Sequence, residues 1–282
     1  MKDIPITEFF DDEPLITPSK LAGGLAQNDF LKTRDKVQSL GIKTAIITFL
    51  NKDVKEVAEI VKGCEMIHWV YGRSSGRVPV FVYDQREQGK FSTEDFRYNG
   101  VLLVFTCVGA PVAAAVIEEL AYFGVENFLA YGTAGCLVKG FDTKKMFIID
   151  RAIRDEGTSY HYLPADTFVE PDPKISECIE RVFKRHKIKY DRGTIWTTDA
   201  LYRETGKRVE RRVSQGAKAV DMEASAFCAV AKKLGVRFGE FVFFSDKICD
   251  DGKWDWMHKM GAGGDLKAKL IPLAIEIAKE IK

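Results

Sequence analysis

Seven short apolar runs rich in Val, Ile and Phe recur along this chain, at 44–50, 78–83, 100–107, 127–131, 145–150, 193–197 and 240–245. Runs of that length and composition suit strands buried on both faces. Segments with helical spacing lie between several of them. In 112–123, Val112, Val116, Leu120 and Phe123 share one face, and in 174–185 Ile175, Cys178, Ile179, Val182 and Phe183 do the same. The Ala-rich stretch 222–233 has strong helix propensity. Strand–helix alternation of this kind predicts an α/β fold with a mostly parallel core sheet. No repeat and no Pro/Gly/Ser linker divides the sequence. Residues 1–282 are therefore expected to form a single domain, a central mixed β-sheet flanked by helices. At 265–282, Leu266, Leu270, Leu273, Ile277 and Ile281 keep helical spacing around Pro272, which demands either a kink or a helix that starts near it.

Composition removes several classes of function. Lys and Arg total 42 against 41 Asp and Glu, a net charge of +1, so the chain lacks the basic surface on which general nucleic-acid affinity rests. The segment 174–218 is locally basic, with 13 Lys and Arg against 6 Asp and Glu, and reads as a solvated helix face or as an anion-attracting rim. The stretch 101–117 carries no charge and approaches the length of a membrane span. Gly109-Ala110-Pro111 interrupts it and Glu118-Glu119 follows, which makes it a buried strand, a tight turn and a helix. The N-terminus has no apolar core of the signal-peptide type. Cys64, Cys107, Cys136, Cys178, Cys228 and Cys249 are widely spaced without a C-x-x-C pair, as expected for reduced core thiols of a cytoplasmic protein. His68, His161, His186 and His258 are equally scattered, so no metal site is expected.

Two turns stand out as ligand sites. Val108-Gly109-Ala110-Pro111 falls between a buried strand and a helix, where unpaired N–H groups and the helix dipole favour an anion. Tyr131-Gly132-Thr133-Ala134-Gly135 follows the next apolar strand and offers two glycines and a hydroxyl as a small cradle. Further blocks follow in order: Arg154-Asp155-Glu156-Gly157-Thr158-Ser159-Tyr160-His161-Tyr162-Leu163-Pro164, Trp196-Thr197-Thr198-Asp199-Ala200-Leu201-Tyr202, Val220-Asp221-Met222-Glu223-Ala224-Ser225-Ala226 and Phe244-Ser245-Asp246. In sequence and spacing these six blocks resemble the family of purine nucleoside, uridine and methylthioadenosine phosphorylases.

That resemblance implies a reaction and a set of roles. Phosphorolysis would split a nucleoside, purine favoured and uridine the alternative, into free base and (deoxy)ribose 1-phosphate. Asp246 and Glu223 would be the catalytic pair. Glu223 would grip the ribose hydroxyls with Met222 packed on the sugar, and Asp246 would hydrogen-bond or protonate the purine at N7. Gly109, Thr133, Gly135, Tyr160, His161, Leu201, Tyr202 and Asp221 would complete the substrate site. Thr133 and Lys20 would hold phosphate, the co-substrate. The resemblance implies no organic or metal cofactor, and a homodimer, or a hexamer built from dimers, whose sites borrow residues across an interface. Read from the residues alone, Glu223 also fits a carboxylate at a helix N-terminus, and Asp246 a strand-ending cap. His161 also fits a packing histidine, and Trp254 and Trp256 a strand or loop packing face. The run 261–264 fits a turn better than a nucleotide loop.

Three departures from the family pattern bear on chemistry. Ala130 stands where family members carry a phosphate-gripping arginine, and an alanine supplies no bidentate contact. Lys20, Arg73, Arg77, Arg154 or a neighbouring subunit would have to replace that charge. Related nucleosidases lack the arginine too and use water, and a nucleoside-binding protein without turnover is a third reading. Asp221 replaces the more usual Glu of the ribose motif. No Gln-x-Arg uracil pattern appears in 205–212.

Overall fold

The computed structural model describes residues 14–22, 27–49, 65–68, 79–83, 100–248, 254–256 and 270–281. Its eleven described strands form one mixed sheet. β1 (Thr44–Thr48) pairs in parallel with β4 (Val101–Phe105) on one side and with β5 (Asn127–Cys136) on the other. Beyond β4, the antiparallel strands β3 (Pro79–Tyr83) and β2 (Glu65–His68) form one edge. At the other side, β5 pairs with β10 (Arg237–Ile248) and, past the end of β1, with β9 (Ala217–Asp221). β9 pairs with β8 (Tyr190–Thr198), β8 with β6 (Met146–Asp155), and β6 returns to β10. Five strands therefore close on themselves into a barrel. The short strands β7 (Phe168–Val169) and β11 (Trp254–Trp256) flank β6 and β10.

Helices cover the sheet from both sides, and strand alternation explains why. On β5, Phe128 and Ala130 point one way and Leu129 and Tyr131 the other. The first set, with Val242 and Phe244, packs on α3 (Ala110–Tyr122) and α6 (Ala224–Leu234) through Val116, Leu120, Phe227 and Val230. The second set, with Phe241 and Phe243, packs on α4 (Pro173–Arg185) and α7 (Ile271–Glu280) through Ile179, Phe183, Ile271 and Ile275. Each such side chain taken fully out of water contributes about 1.5–3 kcal/mol. The remaining described helices are α1 (Pro18–Ala22), α2 (Gln27–Ser39) and α5 (Gly206–Ser214).

The α/β class and the central mixed sheet agree with the sequence reading, with corrections in detail. Tyr131 to Gly135 is not a turn: β5 runs straight through it to Cys136. The strands at 145–150 and 193–197 lengthen to Met146–Asp155 and Tyr190–Thr198. β2, β9 and α5 were not expected. α6 starts at Ala224, which leaves Met222 and Glu223 ahead of its first turn. α7 starts beside Pro272 and has no kink-forming residue in its middle. Of the cysteines, Cys136, Cys178 and Cys228 are buried thiols, but Cys107 is exposed. Cys64, Cys249, Arg73, Arg77, His258 and 261–264 lie outside the described residues. Among those that are described, no helix is long and apolar enough to cross a membrane.

Candidate active site

The strand β4 ends at Phe105, and Gly109 precedes α3 with φ 116° and ψ 138°, a left-handed conformation that glycine adopts without strain. Pro111 sits in the first turn of α3, where its missing N–H costs nothing. The Gly109 N–H donates to Glu223 Oε1 at 2.5 Å. Two segments 114 residues apart are thus joined at the C-terminal end of the sheet, the end where open α/β sheets bind ligands. Met222 N–H approaches the other oxygen, Glu223 Oε2, at 3.3 Å.

Glu223 holds the N-cap position of α6 but does not cap it. Asp221 does that work. Its Oδ2 accepts from Ala224 N at 2.7 Å and Glu223 N at 3.2 Å, and its Oδ1 accepts from Thr197 Oγ1 at 2.8 Å. Thr197 Oγ1 in turn accepts from Ser225 N at 3.0 Å, and Ser225 Oγ donates to Glu156 Oε1 at 2.8 Å. Glu156 Oε2 accepts from Ser159 N at 2.9 Å. The capping of α6 therefore frees Glu223 to face Gly109. Burial lifts the pKa of both Asp221 and Glu223 above the usual carboxylate range, and the Asp221 charge lifts Glu223 further.

Asp246 lies near the end of β10, just past a bulge at Ser245. Ser245 Oγ donates to its Oδ1 at 2.7 Å and Trp254 Nε1 to its Oδ2 at 2.9 Å. Trp254 on β11 thus holds this carboxylate, a role its reading as a packing residue missed. Gly135 is paired with Asp246, and a Cβ on Gly135 would come within 2.9 Å of Asp246 Oδ2 and of Val220 Cγ1. Its lack of a side chain lets the Asp246 carboxylate lie against β5. Thr133, two residues earlier on the same face of β5, is half-buried and pairs with Phe243. Glu223, Thr133, Gly135 and Asp246 are therefore carried by adjoining strand ends and the head of α6.

The remaining residues surround that group. Arg154, buried, donates from Nε to Ser159 Oγ, from Nη1 to Pro164 O and from Nη2 to Ser159 O and Leu163 O, at 2.7–3.1 Å. Its guanidinium is consumed in shaping the 159–164 loop, so it is not the replacement phosphate ligand considered above. Tyr160 stacks on that guanidinium, 4.3 Å from ring centroid to Cζ, and donates from its hydroxyl to Arg154 O at 2.9 Å. His161 beside it is exposed. Leu201 and Tyr202, on a 3₁₀ turn at 201–203, are 52% and 95% exposed, and Val108 and Trp254 are exposed too. Lys20, exposed on α1, donates to Pro14 O at 3.0 Å, and α1 contacts α3. Ala130 is fully buried, paired in register with Glu240. Much of the basic segment is engaged in ion pairs: Arg181 and Arg185 pair with Glu280, Arg192 with Asp150 and Glu180, Arg208 and Arg212 with Asp155, and Lys218 with Asp191. Among the described residues, no group of three or more His, Cys, Asp or Glu is placed to hold a metal ion.

A family described as the phosphorylase superfamily matches residues 43–271. The chain is 28% identical over 155 residues to a guanosine phosphorylase from Halorubrum lacusprofundi, covering 55% of this chain and 64% of that protein. It is 28% identical over 120 residues to a uridine phosphorylase from Thermococcus kodakarensis, covering 42% and 43%. The matches thus span less than two thirds of those relatives. In fold, it is similar to the crystal structure of AMP nucleosidase from Bacteroides thetaiotaomicron, with a TM-score of 0.60 at 19% identity over 90% of this chain and 100% of that one. The strand ends that bring Gly109 to Glu223 and Gly135 to Asp246 all lie within the matched span: this chain belongs to the phosphorylase superfamily.

Proposed function

We propose that this protein cleaves the N-glycosidic bond of a nucleoside, purine favoured, and passes the pentosyl group to phosphate. The observation that carries the reading is the Glu223 carboxylate held by the Gly109 N–H at the open end of the sheet, with Thr133 and Asp246 on the neighbouring strand ends. Breaking the bond builds positive charge on the sugar ring and negative charge on the leaving base. In this reading Glu223 accepts from the ribose hydroxyls, fixes the sugar and stabilises the cationic ring. Thr133 offers its hydroxyl to the phosphate below the ring, while Asp246 faces the base. Phosphate oxygen bonds to the anomeric carbon as the base departs with the bonding electron pair and takes up a proton. Neither metal nor organic cofactor is required. The exposed Val108, Leu201, Tyr202 and Trp254 suit a homodimer, or a hexamer of dimers, that covers them.

A second reading, hydrolysis by water, is favoured by one observation. The position of the missing arginine, Ala130, is sealed in the core beside a buried acid, and Arg154 is fully engaged elsewhere. Base release from a panel of purine and pyrimidine nucleosides, measured with and without phosphate, separates the two. Turnover that needs phosphate and yields a pentose 1-phosphate supports transfer. Turnover undiminished without phosphate means water is the nucleophile. Tight binding of nucleosides without base release under either condition defeats both.

A further inference from the structure

Resting on that reading, we infer that Glu156 is a positioning residue that holds Glu223 in place for the reaction. Glu156 directly follows β6 and is buried. Both of its side-chain oxygens are used. Oε1 accepts from Ser225 Oγ, in the first turn of α6, at 2.8 Å, and Oε2 accepts from Ser159 N at 2.9 Å. Ser159 and Ser225 are both fully buried, so neither group can turn to water instead. Ser159 belongs to a stiff block. Its hydroxyl accepts from Arg154 Nε and its carbonyl from Arg154 Nη2 and Leu163 N, at 2.9–3.1 Å. Gly157 N nearby donates to Asp199 Oδ2 at 2.7 Å. Glu156 therefore fastens the head of α6 to a framework lying outside that helix.

From Ser225 the path to Glu223 is short. Ser225 N donates to Thr197 Oγ1, whose hydroxyl donates to Asp221 Oδ1, and Asp221 Oδ2 accepts from Glu223 N. Asp221 and Thr197 fix the backbone at the start of the helix, and Glu156 fixes the Ser225 side chain from the opposite partner, the 159–164 loop. A helix head held at two points cannot rotate about either. The Glu223 carboxylate meets Gly109 N across 114 residues, a contact that requires the head of α6 to be aimed at the start of α3. Displacing a reacting group by about 1 Å can cost about a hundredfold in rate. The bridge works by shape rather than by charge. It needs an acceptor for Ser159 N and a partner for the Ser225 hydroxyl. A glutamine supplies both, its carbonyl oxygen accepting from Ser159 N and its amide donating to Ser225 Oγ. An aspartate, one methylene shorter, cannot span the two.

The test measures base release from inosine and uridine in phosphate buffer for wild type and for Glu156→Gln, Glu156→Asp, Glu156→Ala and Ser225→Ala. Glu156→Ala and Glu156→Asp should lower kcat by about 10- to 100-fold, while Glu156→Gln stays within about threefold of wild type. Ser225→Ala cuts the same bridge from the other end by deleting one oxygen, and should lower kcat about tenfold. In a Glu223→Ala background, Glu156→Ala should lower turnover no further than about twofold, because the group it positions is gone. Backbone amide exchange gives a readout independent of turnover: Ser159 N–H should exchange faster in Glu156→Ala and at the wild-type rate in Glu156→Gln. With wild type active, losses that multiply in the double variant, or a glutamine variant as poor as the alanine one, overturn the assignment while the proposed reaction stands. A wild type that releases base from neither nucleoside removes the reaction and the assignment together.

Discussion

At the head of α6, Asp221 and Glu223 are gripped by four backbone N–H groups and the Thr197 hydroxyl. Near the end of β10, Asp246 is held by two side chains. Backbone donors at a helix start and a strand end cannot rotate away, whereas a serine hydroxyl and a tryptophan on a short outer strand can. The first region is therefore built to present one geometry and the second can adjust, which in the proposed reaction would suit a common sugar and differing bases.

The sharpest way to break this contrast is to remove the fixed carboxylate. Glu223→Ala should reduce turnover about a thousandfold while the thermal melt stays within about 2 °C, because the capping of α6 belongs to Asp221. Activity near wild type would end the sugar-binding assignment. The neighbouring substitution should behave in the opposite sense. Asp221→Ala takes away three hydrogen bonds in a buried site, and should cost about 2–4 kcal/mol of stability, read as a lowered midpoint in urea. If Asp221→Ala instead unfolds like wild type, the division of labour within the pair is wrong.

The smallest effect concerns the floor beneath them. Glu240 is fully buried on β10, its Oε2 has no hydrogen-bond partner among the described residues, and burial together with Asp221 and Glu223 raises its pKa well above 4.5. The folded protein thus keeps a proton that the unfolded chain releases above about pH 4.5, so stability falls as pH rises through that range. Glu240→Gln should raise the melting temperature at pH 8 by about 3 °C or more and leave it nearly unchanged at pH 4. An equal shift at both pH values would mean that the acid is ionised in place and that the fixed pair stands above a charged floor.

The sequence blocks located Gly109, Thr133, Glu223 and Asp246 because each lies in a short local run at a strand or helix end. What they could not convey were pairings set by tertiary approach. Gly132 and Gly135 have turn-like composition, yet Gly135 serves a strand that must leave room for a carboxylate. α5 escaped notice because charged residues fill most of it and only Val209 and Val213 are apolar. Trp254 meets Asp246 only through the pairing of β11 with β10, and Glu156 meets Ser225 across 69 residues. The central fold was legible for the reverse reason. Two-sided apolar strands and one-sided helices encode the layers directly, residue by residue, as Phe128 against Leu129 illustrates.

Gly135 has a consequence for redesign. A single methyl there would press on Asp246 Oδ2 and on Val220 at once, swinging the carboxylate outward without altering any charged or hydrogen-bonding group. If Asp246 faces the base as proposed, selectivity among bases would be under steric control from a position with no chemistry of its own, a lever that a saturation library at one codon can work.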